Sequence, residues 1–259
     1  NPTLSHKDRE SLAIIEDMLN KGYSEVAIAS TGNAAISLAA LAKVAGLKVH
    51  VFYSKGMSLE RKAIIESINP ILHQVEGTYD SAVNASEFYA KANGIYLANP
   101  GNPIKRKGDS IIGKEISSFL GNIDYDECNI YVPTNNGTLL AGIWEGVLYK
   151  NKIKMIAAIN ENTNIAESIA GFHKLEGESL FKAVDVSKGK IIPVNDSEIS
   201  EALHLLALEG IFCEPASAAS LAALKKSNTK PDIAILAITG SAFKFVQKGL
   251  RPLFDRFAP

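Results

Sequence analysis

The stretch NPTLSHKDRESL, residues 1–12, sets Lys7 among small and polar neighbours just ahead of a helical pattern in which Leu12, Ile15 and Leu19 share one face. Ser5 reads as the N-cap with Asp8 three residues on, a near-variant of the capping box, so Lys7 falls in the first helical turn. Most lysines are solvated surface charges. A lysine at a helix start differs, because the positive end of the helix and any desolvation both disfavour the ammonium. Both therefore favour the neutral amine that attacks a carbonyl. Three other stretches share one grammar: VAIAS-TGN-AAIS, IYVP-TNNG-TLLAG and ILAI-TG-SAFK each run a strand into a polar turn containing glycine. Backbone N–H groups and the positive end of a following helix then gather at the strand's carboxyl edge, where open α/β sheets bind ligands. One such turn is ordinary loop chemistry. Three of them, with a lysine at a helix start, call for an anionic or polar ligand.

A cofactor that offers an aldehyde to Lys7 and a phosphate to a glycine-containing turn is pyridoxal phosphate. Other site types find no residues. There is no HExxH, GxSxG or P-loop lysine, and no GxGxxG after a strand. The five histidines do not pair at metal-ligand spacing, so no metal site is expected. His6, beside Lys7, is the one to watch, whereas His50 within KVHVFY reads as a sheet residue.

The elements that must position these residues follow from periodicity. Strand-like runs alternate with helical ones from VAIAS to IYLANP, and again from NIYVP to DIAILAI, which predicts parallel sheets flanked by helices. The second series includes TLLAGIWEGVLYK and helices around ESIAGFHKL, SEISEALHLLALEG and SAASLAALKK, with a final helix after DIAILAI. Between the series NPGNPIKRKG, residues 99–108, reads as a break, with a helix beginning near Asp109. The expected architecture is α/β, with two lobes that are each an open, mostly parallel sheet flanked by helices, and with the ligand in the cleft between them. The smaller lobe is expected over 21–98 and the larger over 1–20 plus 99–259.

Composition bounds the function. The 259 residues are 46% hydrophobic and 21% charged, with a formal net charge of -1, which gives no electrostatic reason for a nucleic-acid or anionic-membrane partner. No apolar run is long enough to span a bilayer. Cys128 and Cys213 stand far apart, so neither a disulfide framework nor a zinc site is expected, and a reducing cytoplasm fits. The sequons at Asn84, Asn136 and Asn195 then read as coincidences.

NPTLSHKDR resembles the lysine motif of the fold-type-II pyridoxal-phosphate enzymes, the tryptophan synthase beta-like superfamily, and within it the threonine synthases. ASTGNAA is similar to that family's asparagine loop, YVPTNNGTLLAG to its phosphate loop, EGIFCEPASAASLAAL to its EGIFxEPASAA segment, and LAITGSAFK to its LTGHGLK segment. The matches keep the family's order along the entire chain. The resemblance implies that Lys7 forms the covalent imine with the cofactor and then shuttles protons as general acid and base. It implies that Asn33 bonds the cofactor's phenolic oxygen, that Asn135, Asn136, Gly137 and Thr138 hold its phosphate, and that Thr239 offers a neutral hydroxyl to its ring nitrogen. Ser30, Thr31 and Gly32 would receive the substrate carboxylate. Apart from the resemblance, the basic run Lys105, Arg106 and Lys107 lies just before the helix expected near Asp109; it reads either as a solvated loop or, with Arg106 and Lys107 aided by that helix N-terminus, as a second anion site for a substrate phosphate.

Three departures stand out. Asn135 stands where the family usually has glycine, Lys107 replaces an acid in an EGQKT-like stretch, and GSAFKF lacks the histidine and final aspartate of GHGLKD. The implied reaction converts O-phosphohomoserine and water to threonine and phosphate, carried out by a cytoplasmic homodimer. The alternatives are a threonine or serine ammonia-lyase, an O-phosphoserine-type replacement enzyme, and a non-catalytic paralogue that only binds the cofactor. Family members carry strands ahead of the lysine motif, so a chain opening at Asn1 is expected to be a fragment lacking N-terminal strands of the larger lobe.

Overall fold

The computed structural model describes residues 1–55, 57, 59–148, 150–171 and 177–245. The chain divides into two compact units, Asn1–Gly108 and Asp109–Pro259. In the first, α1 (Lys7–Asn20) precedes β1 (Glu25–Ala29), α2 (Asn33–Val44), β2 (Lys48–Ser54), α3 (Leu59–Ile68), β3 (Ile71–Val75), α4 (Tyr79–Asn93) and β4 (Tyr96–Leu97). All pairings are parallel and the strand order is β3-β2-β1-β4. α5 (Pro103–Leu120) begins in this unit and ends in the second. The second unit continues with β5 (Cys128–Pro133), α6 (Thr138–Gly146), β6 (Ile153–Ile159), α7 (Gly177–Val186), β7 (Lys190–Pro193), α8 (Asp196–Leu208), α9 (Pro215–Lys226) and β8 (Ile233–Leu236). Its sheet is again parallel, in the order β7-β6-β5-β8.

Burial on both faces explains the unbroken apolar runs of the central strands. In β5 all six residues are buried. Tyr131, with Ile156 and Ala158 of β6, joins a core built with α8 and α9. Ile130 and Val132, with Met155 and Ala157, join another built with α6 and α7. The first sheet does the same more thinly, with Ala27, Ala29 and Phe52 packing on Ala82 and Ala90 of α4. Helix ends follow local chemistry. Asn195 accepts from the Glu198 N–H at 2.9 Å while the Glu198 carboxylate accepts from the Asn195 N–H at 2.8 Å, a capping box at the start of α8.

The compact units do not share their bounds with the expected lobes, 21–98 and 1–20 plus 99–259. Here residues 1–20 and 99–108 go with the first sheet. α5 starts at Pro103, six residues before the expected Asp109, with Asn102 accepting from the Ile104 N–H at 3.0 Å. Gly108 made the stretch look like a break, but it sits inside the helix, where an added Cβ would lie 2.4 Å from the Arg9 carbonyl oxygen. It marks a close helix approach. The helix expected around ESIAGFHKL is a 3-10 turn over Glu167–Ile169 followed by an extended Ala170, and residues 172–176 lie outside the described residues. α6 stops at Gly146, short of the expected Lys150. α7 and β7 were not anticipated, and the final helix after β8 falls largely on residues 246–259, outside the described ones.

Candidate active site

In the first sheet β1 is flanked by β2 and β4, so the chain leaves β1 towards one side and returns on the other. The carboxyl ends of β1 and β4 thus border a topological switch point, where α/β sheets bind ligands. Ser30–Asn33 lies there. The Ser30 hydroxyl accepts from the Gly32 N–H at 3.3 Å, and Gly32 caps α2, whose first residue is Asn33. An added Cβ at Gly32 would meet nothing within 4 Å, and its φ of -131° does not demand glycine. Neither packing nor backbone strain explains this glycine, whereas its bareness lets a ligand approach the backbone. Buried Asn99 fixes the strand end, accepting from the Ala29 N–H at 2.8 Å and donating to the Ser86 hydroxyl at 2.8 Å.

Lys7 opens α1 by a route the sequence did not suggest. His6, not Ser5, is the N-cap, and the Ser5 hydroxyl instead accepts from the Lys7 N–H at 3.2 Å. Asp8 takes Thr3 as its partner, accepting from its N–H at 2.8 Å and its hydroxyl at 2.5 Å. This is possible because Leu4, at φ 60°, turns the chain back over the helix start. The Ser37 hydroxyl donates to Asp8 at 2.6 Å and ties this clamp to α2. The Lys7 amine contacts the carboxylate of Glu10, one turn along. Glu10 is 2% exposed and also faces Lys105 at 3.7 Å and His6 at 3.8 Å. Burial alone would raise its carboxyl, but the charges of Lys7, Lys105 and His6 win and hold it at about 2. The field of Lys7 reaches Tyr79, whose hydroxyl lies 3.4 Å from the Ala29 carbonyl oxygen at the end of β1. Burial, then Asp80, push that phenol up against the pull of Lys7.

Arg106 and Lys107 do not precede a helix, as was expected, but are the fourth and fifth residues of α5. Lys107 lies 3.9 Å from Glu16, a pair about two-thirds exposed on both sides. Glu16 is nine residues from Lys7 along α1, roughly 13 Å of helix rise.

In the second unit β5 and β8 are neighbours, so Asn135–Thr138 and Thr239 share one carboxyl edge, again at a switch point. The Asn135 side chain donates to the carbonyls of Ala170 at 3.2 Å and Ser168 at 3.4 Å. Its backbone is not in the left-handed region, so this turn does not require the family's glycine there. Gly137 does need to be glycine. Its φ is 93°, and an added Cβ would sit 2.8 Å from the Leu180 Cβ. Asn136 accepts from both the N–H and the hydroxyl of buried Thr138 at 3.1 Å. α6 has no acid in its own first turn, so no carboxylate of that turn offsets its positive end. Thr239 is held by Ser217 of α9, whose hydroxyl lies 2.9 Å from the Thr239 hydroxyl and accepts from the N–H groups of Thr239 and Gly240 at 3.0 Å. Both cysteine thiols are pushed up to about 12 by burial, so neither is a ready nucleophile.

Reading the sequence missed Glu10, Asn99 and Ser217. Ser217 stood within a matched segment, and a serine in an alanine run was its signal. Asn99 gave no local sign, because its partner Ala29 is distant in sequence, whereas Glu10 stands at helical spacing from His6 and Lys7, a signal that could have found it, and only its partner Lys105 is distant.

Known proteins complete the picture. The sequence pattern of the family described as "Pyridoxal-phosphate dependent enzyme" matches residues 1–240. The threonine synthase of Mycobacterium tuberculosis (strain ATCC 25618 / H37Rv) is 29% identical, over 98% of this chain and 77% of that protein. The threonine synthase of Methanocaldococcus jannaschii is 31% identical, over 87% of this chain and 63% of that protein. Among solved structures, a hydrogen sulfide-producing enzyme from Fusobacterium nucleatum superposes with a TM-score of 0.80 at 20% identity, over 95% of this chain and 80% of that one. Maize serine racemase does so at 0.79 and 17% identity, over 99% and 86%. Those two share the fold. With a lysine at the start of α1, ligand-ready turns at two switch points and a family pattern that runs from Asn1 to Gly240, the chain belongs to the pyridoxal-phosphate dependent enzymes.

Proposed function

We propose that this chain is a threonine synthase-like lyase that converts O-phosphohomoserine and water to threonine and phosphate. The observation that carries the reading is the likeness to proteins named threonine synthase over 98% of this chain, with a family pattern over residues 1–240 that spans Lys7 and all three polar turns. The donor set fits pyridoxal phosphate. The start of α6 has no acid in its first turn, which suits a phosphate dianion, and the Thr138 N–H and hydroxyl that donate to Asn136 are donors such an anion would take over. When bound, the cofactor supplies an aldehyde for an amine and a ring that accepts electrons from the substrate.

The chain's own residues do the rest in this reading. Lys7 gives the amine and afterwards carries protons at its Nζ. Glu10 steadies the ammonium of Lys7, and when that charge is lost the carboxylate keeps Lys105 as its counter-ion, so no bare buried charge remains. Asn33 orients the ring through its oxygen, Asn135–Thr138 hold the phosphate, and Thr239 faces the ring nitrogen. Ser30, Thr31 and Gly32 receive the substrate carboxylate at the open backbone of the α2 start. Arg106 and Lys107 are the proposed contacts to the substrate phosphate. Because the Lys107–Glu16 pair is exposed, water screens it and an incoming phosphate displaces it at small cost. A lobe division at 21–98 and 1–20 plus 99–259, a homodimer and a cytoplasmic setting belong to the same proposal. Among the described residues no helix is long and apolar enough to cross a membrane.

The test is a panel of phosphorylated and unphosphorylated hydroxy-amino acids, scored separately for released phosphate and released 2-oxo acid. Phosphate and threonine from O-phosphohomoserine support the reading. Release of 2-oxo acid from threonine or serine alone overturns it in favour of an ammonia-lyase.

A further inference from the structure

Ser217 is fully buried at the third position of α9, in a helix whose other small buried positions are mostly alanine. A hydroxyl in such surroundings is costly unless its hydrogen bonds are made. Its oxygen accepts from the Thr239 N–H and the Gly240 N–H, both at 3.0 Å. Backbone N–H groups can only donate, so these two contacts use both lone pairs of the hydroxyl. The Ser217 proton must then go to an acceptor. The Thr239 hydroxyl oxygen is 2.9 Å away, whereas the Gly240 carbonyl is at 3.4 Å and already accepts from the Glu214 N–H at 2.9 Å. Ser217 therefore donates to Thr239. Having accepted there, the Thr239 hydroxyl keeps its own proton for a partner other than Ser217.

We propose that Ser217 is a positioning residue that fixes the Thr239–Gly240 turn and obliges Thr239 to present a proton, rather than a lone pair, to the ring nitrogen of the bound cofactor. This rests on the reading that puts Thr239 at that nitrogen. A ring nitrogen that accepts a hydrogen bond stays unprotonated, so Ser217 sets the electronic state of the ring from one residue away. Two charged groups border this turn. Glu214 borders Gly240, where an added Cβ would lie 2.7 Å from its carboxylate, and it pairs with Lys244 at 3.6 Å.

The holoenzyme reconstituted with pyridoxal phosphate labelled with nitrogen-15 in the ring gives the readout. Its ring-nitrogen chemical shift is followed from mildly acidic to mildly alkaline pH. The unmodified protein is expected to show a neutral, hydrogen-bonded nitrogen whose shift does not move with pH. In Ser217→Ala the Thr239 hydroxyl can turn, and the shift is expected to titrate; Ser217→Thr, which restores a hydroxyl, returns it to the fixed position. Ser217→Cys, close in size but weak in hydrogen bonding, takes the place of the alanine variant if that one does not fold, with the same expectation. Thr239→Val separates the two ideas. If that variant leaves the shift untouched, Thr239 is not at the ring and the underlying reading fails. If it moves the shift while Ser217→Ala and Ser217→Cys do not, the positioning role of Ser217 is overturned.

Discussion

The two units use the same strand order, one central strand followed outward by two and flanked on its other side by the last, yet they arm their switch points with opposite chemistry. The first is built on charge: a buried carboxylate, Glu10, is surrounded by Lys7, Lys105 and His6. The second presents mainly neutral groups, with Asn136, Gly137 and Thr138 at a helix start and two hydroxyls, Ser217 and Thr239, at the end of β8, where the Glu214–Lys244 pair borders Gly240. The difference bears on what each edge is proposed to do. Ion pairs hold and release protons, so the first edge suits chemistry at an amine. Neutral donors with fixed directions do not titrate near neutral pH, so the second suits holding an anion and a ring in one state.

Four substitutions break or sharpen this contrast, and Lys7→Ala has the largest expected effect. It removes the amine and the proton carrier together, and turnover should fall by more than about 10,000-fold. Borohydride reduction and peptide mapping should lose the label at position 7 while the second unit's donors still retain cofactor noncovalently. Label persisting on another lysine breaks the contrast, since the charged edge would then not be the reactive one.

Glu10→Gln comes next. It removes the buried carboxylate that Lys7, Lys105 and His6 all face, and breaking a buried pair costs about 3–5 kcal/mol. Because folding lowers the Glu10 carboxyl from the ordinary 4.5 to about 2, its stabilising contribution is complete above pH 4.5 and is lost as pH falls towards 2. Urea midpoints measured across that window should therefore drop steeply in the unmodified protein and less steeply in the variant. Equal slopes would remove Glu10 from the charged edge.

Gly137→Ala probes the neutral edge. A positive φ and a Cβ only 2.8 Å from Leu180 should cost about 1–3 kcal/mol, read as a lower Tm. The Kd for cofactor should rise with no new pH dependence; a pH-dependent loss would mean that this edge carries charge after all. The smallest effect is expected from Asn135→Gly, which deletes two long bonds to Ala170 and Ser168 and should cost less than about 1 kcal/mol. A turnover loss beyond about tenfold, equivalent to some 1.4 kcal/mol, would instead show that the Asn135 side chain reaches a ligand.

Local chemistry was legible before any coordinates. Alternating apolar runs announced the parallel sheets, because strands buried on both faces must be apolar throughout. The polar turns after β1, β5 and β8 were readable because glycine, asparagine and threonine at a strand end have few other uses. Gly137 sits at positive φ within one of them. The errors were also local and had a tertiary cause. Gly108 and its basic neighbours looked like a loop, but the glycine is there to let the backbone of Arg9 come close. The N-cap was misplaced by one residue because Leu4 folds Thr3 back onto Asp8, a turn that periodicity cannot reveal.

By itself the sequence determined the class of fold, the lysine at a helix start that is proposed to react and the three turns proposed to serve a cofactor, since each is written in residues adjacent along the chain. Only the tertiary structure decided what surrounds them. Glu10 meets Lys105 from 95 positions away, Asn99 fixes the end of β1 from 70, and Ser217 directs Thr239 from 22. Hydrogen bonds and buried ion pairs act over a few ångströms of space whatever the separation in sequence, so their partners become known only when packing brings them together.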